Sequence, residues 1–310
     1  MRSRPWLTAL LNVGWLAGLI LATAGCQTMN GTGAQSFSTG VAAAREQTTA
    51  AFAAVAAATR ESGIDYLARQ ERLSETTPVT VVPDAAAIAA WKGALAPLET
   101  YAKHLAALAA GNPAQPVEKS LEELGQEFNA AAADVKTQTG IDAGQVGAGV
   151  ASAFAEVAGA LLRARGQKEA LGIAVATDAS IRKVFTTLAD ALGADRTVPG
   201  LRATLWENWE QELGERKVEF MHAGTSEQRR PIVREFLDQR TERDAQDELL
   251  AGLRKSYLAL ADAHTALAQA QPVKLSTAIA VVTAELKHAR DLKAQFAPPV
   301  TATPTSTPTP

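Results

Sequence analysis

Residues 84–108, DAAAIAAWKGALAPLETYAKHLAAL, decide the fold class. Ile88, Trp91, Leu95, Leu98, Tyr101, Leu105 and Leu108 stand three or four apart, the interval at which side chains share one face of an α-helix. Asp84 precedes the pattern, and its carboxylate can accept from the free N–H groups of a first helical turn. Alanine fills most of the remaining positions, which favours helix and leaves room for close packing. Pro97 lies inside the pattern and predicts a kink or a division there.

Working outward, the same signals recur. A first helix is expected over residues 41–72, with Phe52, Val55, Tyr66 and Leu67 among alanines. Thr76-Thr77-Pro78 and Pro83 break it. Gly111-Asn112-Pro113 ends the helix that begins at Asp84. Pro116 opens a third, running to about residue 137. A long helical stretch then reaches about residue 192, with Gly166 and Gly172 as its candidate breaks, and Pro199-Gly200 is a clear stop. Three further helices are expected over 201–222, from about 231 to 270, and from Pro272 to just before Pro298-Pro299.

No segment alternates apolar and polar long enough to make a convincing strand. The expectation is therefore all-α: an elongated antiparallel bundle of six to eight helices over 41–297, packed as in coiled coils. It has either one body or two subdomains meeting near residues 199–200. Gln115-Pro116-Val117 and Gln271-Pro272-Val273 each follow an Ala/Leu-rich helix containing a tyrosine, Tyr101 or Tyr257. That echo fits a duplicated hairpin or chance.

Two flanking segments lack any period. Residues 26–40 are polar and rich in Gly, Ser and Thr, and read as a flexible tether. Residues 298–310 are a Thr/Pro tail, expected to be disordered and biased to polyproline II.

The first 25 residues have the layout of an export signal: Arg2 and Arg4, an apolar run over 6–22, then small residues up to Cys26. Cys26 is the single cysteine of 310 residues, and its neighbours include no His, Lys or Arg to activate a thiolate. Thr23-Ala24-Gly25-Cys26 resembles the lipobox of bacterial lipoproteins, with Thr23 where that family usually has Leu. The resemblance covers the targeting segment alone. It implies a diacylglycerol thioether on Cys26, cleavage before it and acylation of the new amino terminus. Gln27, rather than Asp, after the cysteine then implies the outer membrane, facing the periplasm. Ala22-Thr23-Ala24 is the competing site, an ordinary A-x-A cut.

Without residues 1–25 the chain keeps 28 basic and 33 acidic residues, a net of −5. Such a balance argues against a nucleic-acid binder, which needs a basic face. Residues 207–255 are the charged extreme, with 12 acidic and 9 basic side chains. They are expected on the outside of the bundle, as a solvated face or a docking surface for a protein partner. Residues 141–165, built from Gly, Ala and Val, are expected as a buried helix. Asp142, Gln145 and Glu156 weigh against a membrane span there. Trp206 and Trp209 are expected to pack between helices.

Phosphate loops, paired cysteines and zinc signatures are absent from the sequence. One constellation suggests a di-metal bundle: Glu219 with His222 and Glu285 with His288 are both E-x-x-H, and Glu156 with Glu235 or Glu242 would complete the set. The helical wheel opposes it, because His222 and His288 fall more than about 100° from the apolar faces of their helices. No cofactor is therefore expected. The sequence favours a non-enzymatic scaffold or interaction module at a membrane. A carrier of lipid or another apolar ligand is the second reading.

Overall fold

The computed structural model describes residues 29, 31–69, 79, 81–111, 117–137, 143–164 and 169–296. The export segment, Cys26 and the Thr/Pro tail lie outside these residues. The described chain is helical throughout: α1 Gly31–Ala68, α2 Ala85–Ala109, α3 Val117–Thr137, α4 Ala143–Arg163, α5 Ala170–Leu192, α6 Leu201–His222, α7 Ser226–Ala268 and α8 Pro272–Phe296. The all-α bundle expected from the sequence is what forms.

Cross-helix contacts set the directions. Phe52 meets Trp91 at 5.1 Å and Arg45 reaches Glu99 at 2.6 Å, so α1 and α2 run antiparallel. Phe37 packs on His264 and Thr48 on Tyr257, which makes α1 antiparallel to α7 as well. Contacts of Asp178 with His264 and Arg254 with Asp190 set α5 against α7 in the same sense. Phe128 and Phe154 pair α3 with α4. The core is built from α1, α2, α5 and α7, flanked by α8 on one side and by α3 and α4 on the other.

Local chemistry accounts for most boundaries. Asp84 caps α2 as expected, accepting from the Ala87 N–H at 2.7 Å. Pro97, however, does not divide that helix, which runs unbroken past it. The lost hydrogen bond is offset because Trp91, Leu95, Leu98 and Tyr101 stay on one buried face only if the helix continues. The long stretch expected to reach residue 192 is two helices, α4 and α5, separated between Ala164 and Glu169. α4 is buried as expected through Val150, Phe154, Val157 and Leu161. Among the described residues no helix is long and apolar enough to cross a membrane.

Two differences from expectation matter for function. The stretch expected as a tether is helical from Gly31 onward, so α1 begins ten residues before position 41. Ala34, Phe37 and Val41 explain it: spaced three and four apart, they are buried against α7 and α8. Gly31 backs onto α2, where a Cβ would stand 3.2 Å from the Ala109 carbonyl oxygen, and Gly40 sits in ordinary contact with Leu260 and Ile279. The small, polar residues that suggest a loop serve here to let helices approach.

The helix expected from about residue 231 instead starts at Ser226. Thr225 accepts from the Gln228 N–H at 3.3 Å, while the Gln228 side chain accepts from the Thr225 N–H at 3.2 Å. This is a capping box placed upstream of Pro231.

One contiguous cluster of buried side chains runs from α1 to α8 and includes Leu201, Leu205 and Trp209. The turn at Pro199 and Gly200 thus interrupts the chain without dividing its core. At 43 residues, α7 is about 64 Å long by the rise of an α-helix.

Candidate functional site

The two ends of this rod differ. At the base, the start of α1 meets the α7–α8 turn. Met29, Thr32, Ser36, Leu267, Leu275 and Ile279 are among the residues lining a largely apolar groove of about 590 Å³. Small-ligand cavities commonly fall in that size range. Gln271 lines the groove and has a buried side-chain oxygen without a hydrogen-bond partner.

At the far end, α6 and the first half of α7 leave the core. Beyond Leu213 only Arg216 of α6 is buried, and α7 has no buried residue before Ala245. The charged segment is thus mostly exposed as expected up to about residue 244, whereas from Ala245 on α7 belongs to the core; α1 runs alongside the exposed part to its last turn. The three helices of this arm are joined by charge. Arg216, 3% exposed, bonds Glu219 at 2.9 Å and also Glu235, while Arg69, just past the end of α1, reaches Glu235 at 2.7 Å and Glu219 at 3.5 Å.

The arm also presents apolar side chains that its charge count conceals. Met221 is 69% exposed, and Val218, Phe220, Val233 and Leu237 are exposed beside it. Phe220, Met221, Ile232, Val233 and Phe236 line a shallow cavity of about 280 Å³ between α6 and α7. A cluster of this kind on a projecting hairpin has the composition of a docking face. At its root, Trp206 and Trp209 of α6 pack edge to face at 5.9 Å; as expected they also pack on other helices, Trp209 being buried in the core and Arg243 of α7 lying 4.2 Å over the Trp206 ring.

The E-x-x-H pairs do not assemble a site. Glu219 is held by Arg216 and Arg69, and His222 is exposed with Nδ1 2.9 Å from the Val218 carbonyl. Glu285 pairs with Lys255 at 3.3 Å, and His288 lies 2.8 Å from Glu248 on the surface. Glu156 is bonded by Lys183. Among the described residues, no three His, Cys, Asp or Glu side chains converge as metal ligands. Cys26 lies outside the described residues.

A polar chain that sequence reasoning missed crosses the middle of the core. His264 is fully buried; its Nδ1 lies 2.9 Å from Asp178 Oδ1 and its Nε2 lies 2.7 Å from the Tyr101 hydroxyl. Tyr101 in turn stands 2.7 Å from Thr177 Oγ1. With Nδ1–H donated to the Asp178 carboxylate, the ring presents Nε2 to the Tyr101 hydroxyl.

Burial pushes the Asp178 carboxyl up, but the hydrogen bond and charge of His264, with Thr265 and Arg182, hold it below the usual range. Burial also pushes the Tyr101 hydroxyl well above its ordinary value. Only Asp178 reaches the surface, so the chain locks α2, α5 and α7 together and offers no substrate access. Its one sequence signal is the position of His264, four residues after Leu260 and three before Leu267, on an apolar face.

Tyr257 makes a similar closure, 2.6 Å from Thr48. Comparison with protein-family models, with curated proteins and with solved structures finds no match to this chain.

Proposed function

We propose that this protein is a cell-envelope lipoprotein, held through lipid on Cys26 at the outer membrane, that acts as a non-enzymatic interaction module in the periplasm. The observation that carries the reading is the exposed apolar cluster around Met221, at the end of the rod opposite Gly31. Cys26 precedes Gly31 by five residues, a reach of at most about 18 Å. A chain anchored there has its base at the membrane. The 38 residues of α1, about 57 Å long, separate that base from the arm. The arm is then the part of the molecule best placed to meet a partner across the periplasm.

A photo-crosslinking amino acid at position 221, compared with one at the exposed body position Val175, tests the docking face in cells. Discrete protein adducts at 221 and none at 175 are expected. Their absence at 221 under all growth conditions overturns the reading. The mass of the mature amino terminus tests the anchor separately.

The groove at the base favours one further reading, a carrier of a lipid or another apolar ligand. Native mass spectrometry of the full chain would then show a co-purifying acyl species. An unmodified mass would exclude it.

A further inference from the structure

At the root of the arm, α1, α6 and α7 enclose a second, much smaller cavity of about 20 Å³. That is room for one water or one bare ion. Its walls bring together oxygen-bearing side chains from three helices: Ser62 of α1, Glu212 of α6, and Gln239, Glu242 and Gln246 of α7.

Gln246 is 2% exposed. Its amide orientation is set by the bond from Nε2 to Glu242 Oε1 at 3.0 Å, and this leaves Oε1 buried with no hydrogen-bond partner. Gln239 Oε1 is also buried without a hydrogen-bond partner. Leaving a buried carbonyl unsatisfied is unfavourable, so two of them on one cavity call for a donor or a cation.

The carboxylates decide between these. Glu212 accepts from the Ser62 hydroxyl at 2.6 Å and Glu242 from Gln246, but among the described residues neither has an ion-pair partner. Arg243 also lines the cavity, yet its guanidinium is engaged with Asp244, at 2.6 and 2.9 Å, and with the Trp206 ring. A single water has two hydrogens: donating both to the amide oxygens leaves none for Glu212 or Glu242.

From the orphaned Gln246 and Gln239 oxygens and the unpaired Glu212 and Glu242 in one cavity, we infer a binding site for a single hard divalent cation. The ion expected is Ca²⁺. Carboxylate and amide oxygens suit hard cations and not thiophilic metals. Mg²⁺ holds several waters in a strict octahedron, for which this cavity has no room, whereas Ca²⁺ accepts irregular shells of protein oxygens. A bound ion would join α6 and α7 to each other at the point where both leave the core. It would thereby stiffen the arm. The site stands independently of any membrane anchor.

Equilibrium dialysis of the purified full chain against radioactive Ca²⁺ is the direct test, with tryptophan emission as a second readout because Trp209 lines the cavity. One Ca²⁺ per chain is expected, with a Kd in the range of about 10⁻⁴ to 10⁻³ M typical of extracellular calcium modules, and weaker binding of Mg²⁺. Glu212→Gln and Glu242→Gln should each weaken binding by about tenfold or more, while Glu227→Gln on the exposed first turn of α7 leaves it unchanged. The two amide variants keep side-chain shape, and thermal melts without Ca²⁺ confirm that they fold. No stoichiometric binding at about 10 mM Ca²⁺, the outcome if the cavity holds only a water, overturns the inference. So does binding that both amide variants retain.

Discussion

Replacing His264 by Ala probes the buried polar chain at its centre. The imidazole makes two hydrogen bonds, to Asp178 at 2.9 Å and to Tyr101 at 2.7 Å, and packs on Phe37 with ring centroids 5.5 Å apart. Neither polar partner is left wholly orphaned. Asp178 keeps Thr265 at 3.1 Å and touches solvent, and Tyr101 keeps Thr177. The bond to the carboxylate therefore counts near the low end of about 1.5–3 kcal/mol, and that to tyrosine about 1 kcal/mol. The void beside Phe37 and Tyr101 adds to both, as in other large-to-small core substitutions, and the total comes to about 4 kcal/mol.

Urea unfolding at pH 7, followed by far-UV circular dichroism, should show that loss, and the midpoint of thermal unfolding should fall by about 10 °C. Tyr101→Phe alone should lose about 1–2 kcal/mol, and the double variant less than the sum, because the two side chains share a bond. A loss below about 1 kcal/mol for His264→Ala would refute the claim that this chain fastens α2, α5 and α7.

Asp178 gives a pH signature. Its carboxyl is held below the ordinary value of 3.8, so its contribution is present above that value and fades as pH falls through the folded-state value. Wild type should thus exceed Asp178→Asn in stability at neutral pH, with the difference shrinking in acid; urea melts across the pH series check it. Glu212 and Glu242 have the opposite sign. Their carboxyls are raised by burial, so stability is lost as pH rises above the ordinary 4.5, and in EDTA their Gln variants should melt higher than wild type at pH 8 but not at pH 4. At Gly200, with φ at 156°, a Cβ would stand 2.7 Å from the Gly193 nitrogen, so Gly200→Ala should lower stability by about 2 kcal/mol or more in a chemical melt. Phe37→Ala should lose about 3–5 kcal/mol and raise hydrogen exchange over residues 31–40, whereas a true tether would show no protection in either protein. Met221→Asp should leave the melting temperature within about 2 °C of wild type while abolishing partner crosslinks from a probe placed at the exposed Val218.

Most of the helical architecture is legible in residue spacing. The face of residues 84–108, the stop at Pro199-Gly200 and the start at Pro272 depend on interactions within a turn or two, and periodicity reports those directly. The errors have a common source. Residues 31–40 resemble a linker in composition, and only the neighbouring surfaces of α7 and α8 make their glycines and serines useful. Pro97 breaks a helix considered alone and is tolerated in one whose face is buried on both sides of it. Glu219 and Glu235, considered as metal ligands, turn out to be neutralised by Arg216 and Arg69, the latter about 150 residues away in sequence.

The sequence by itself determined that this chain is helical, where most helices begin and end, and that most of its charged segment, up to about residue 244, faces water. Those properties follow from local hydrogen bonding and from the 3.6-residue period. Only the tertiary structure decided which polar groups meet. Tyr101, Thr177 and His264 are separated by 76 to 163 positions, and Ser62 lies 150 from Glu212. Whether a buried hydroxyl or carboxylate finds a partner depends on the angle and depth at which whole helices dock, and no spacing within one helix encodes that.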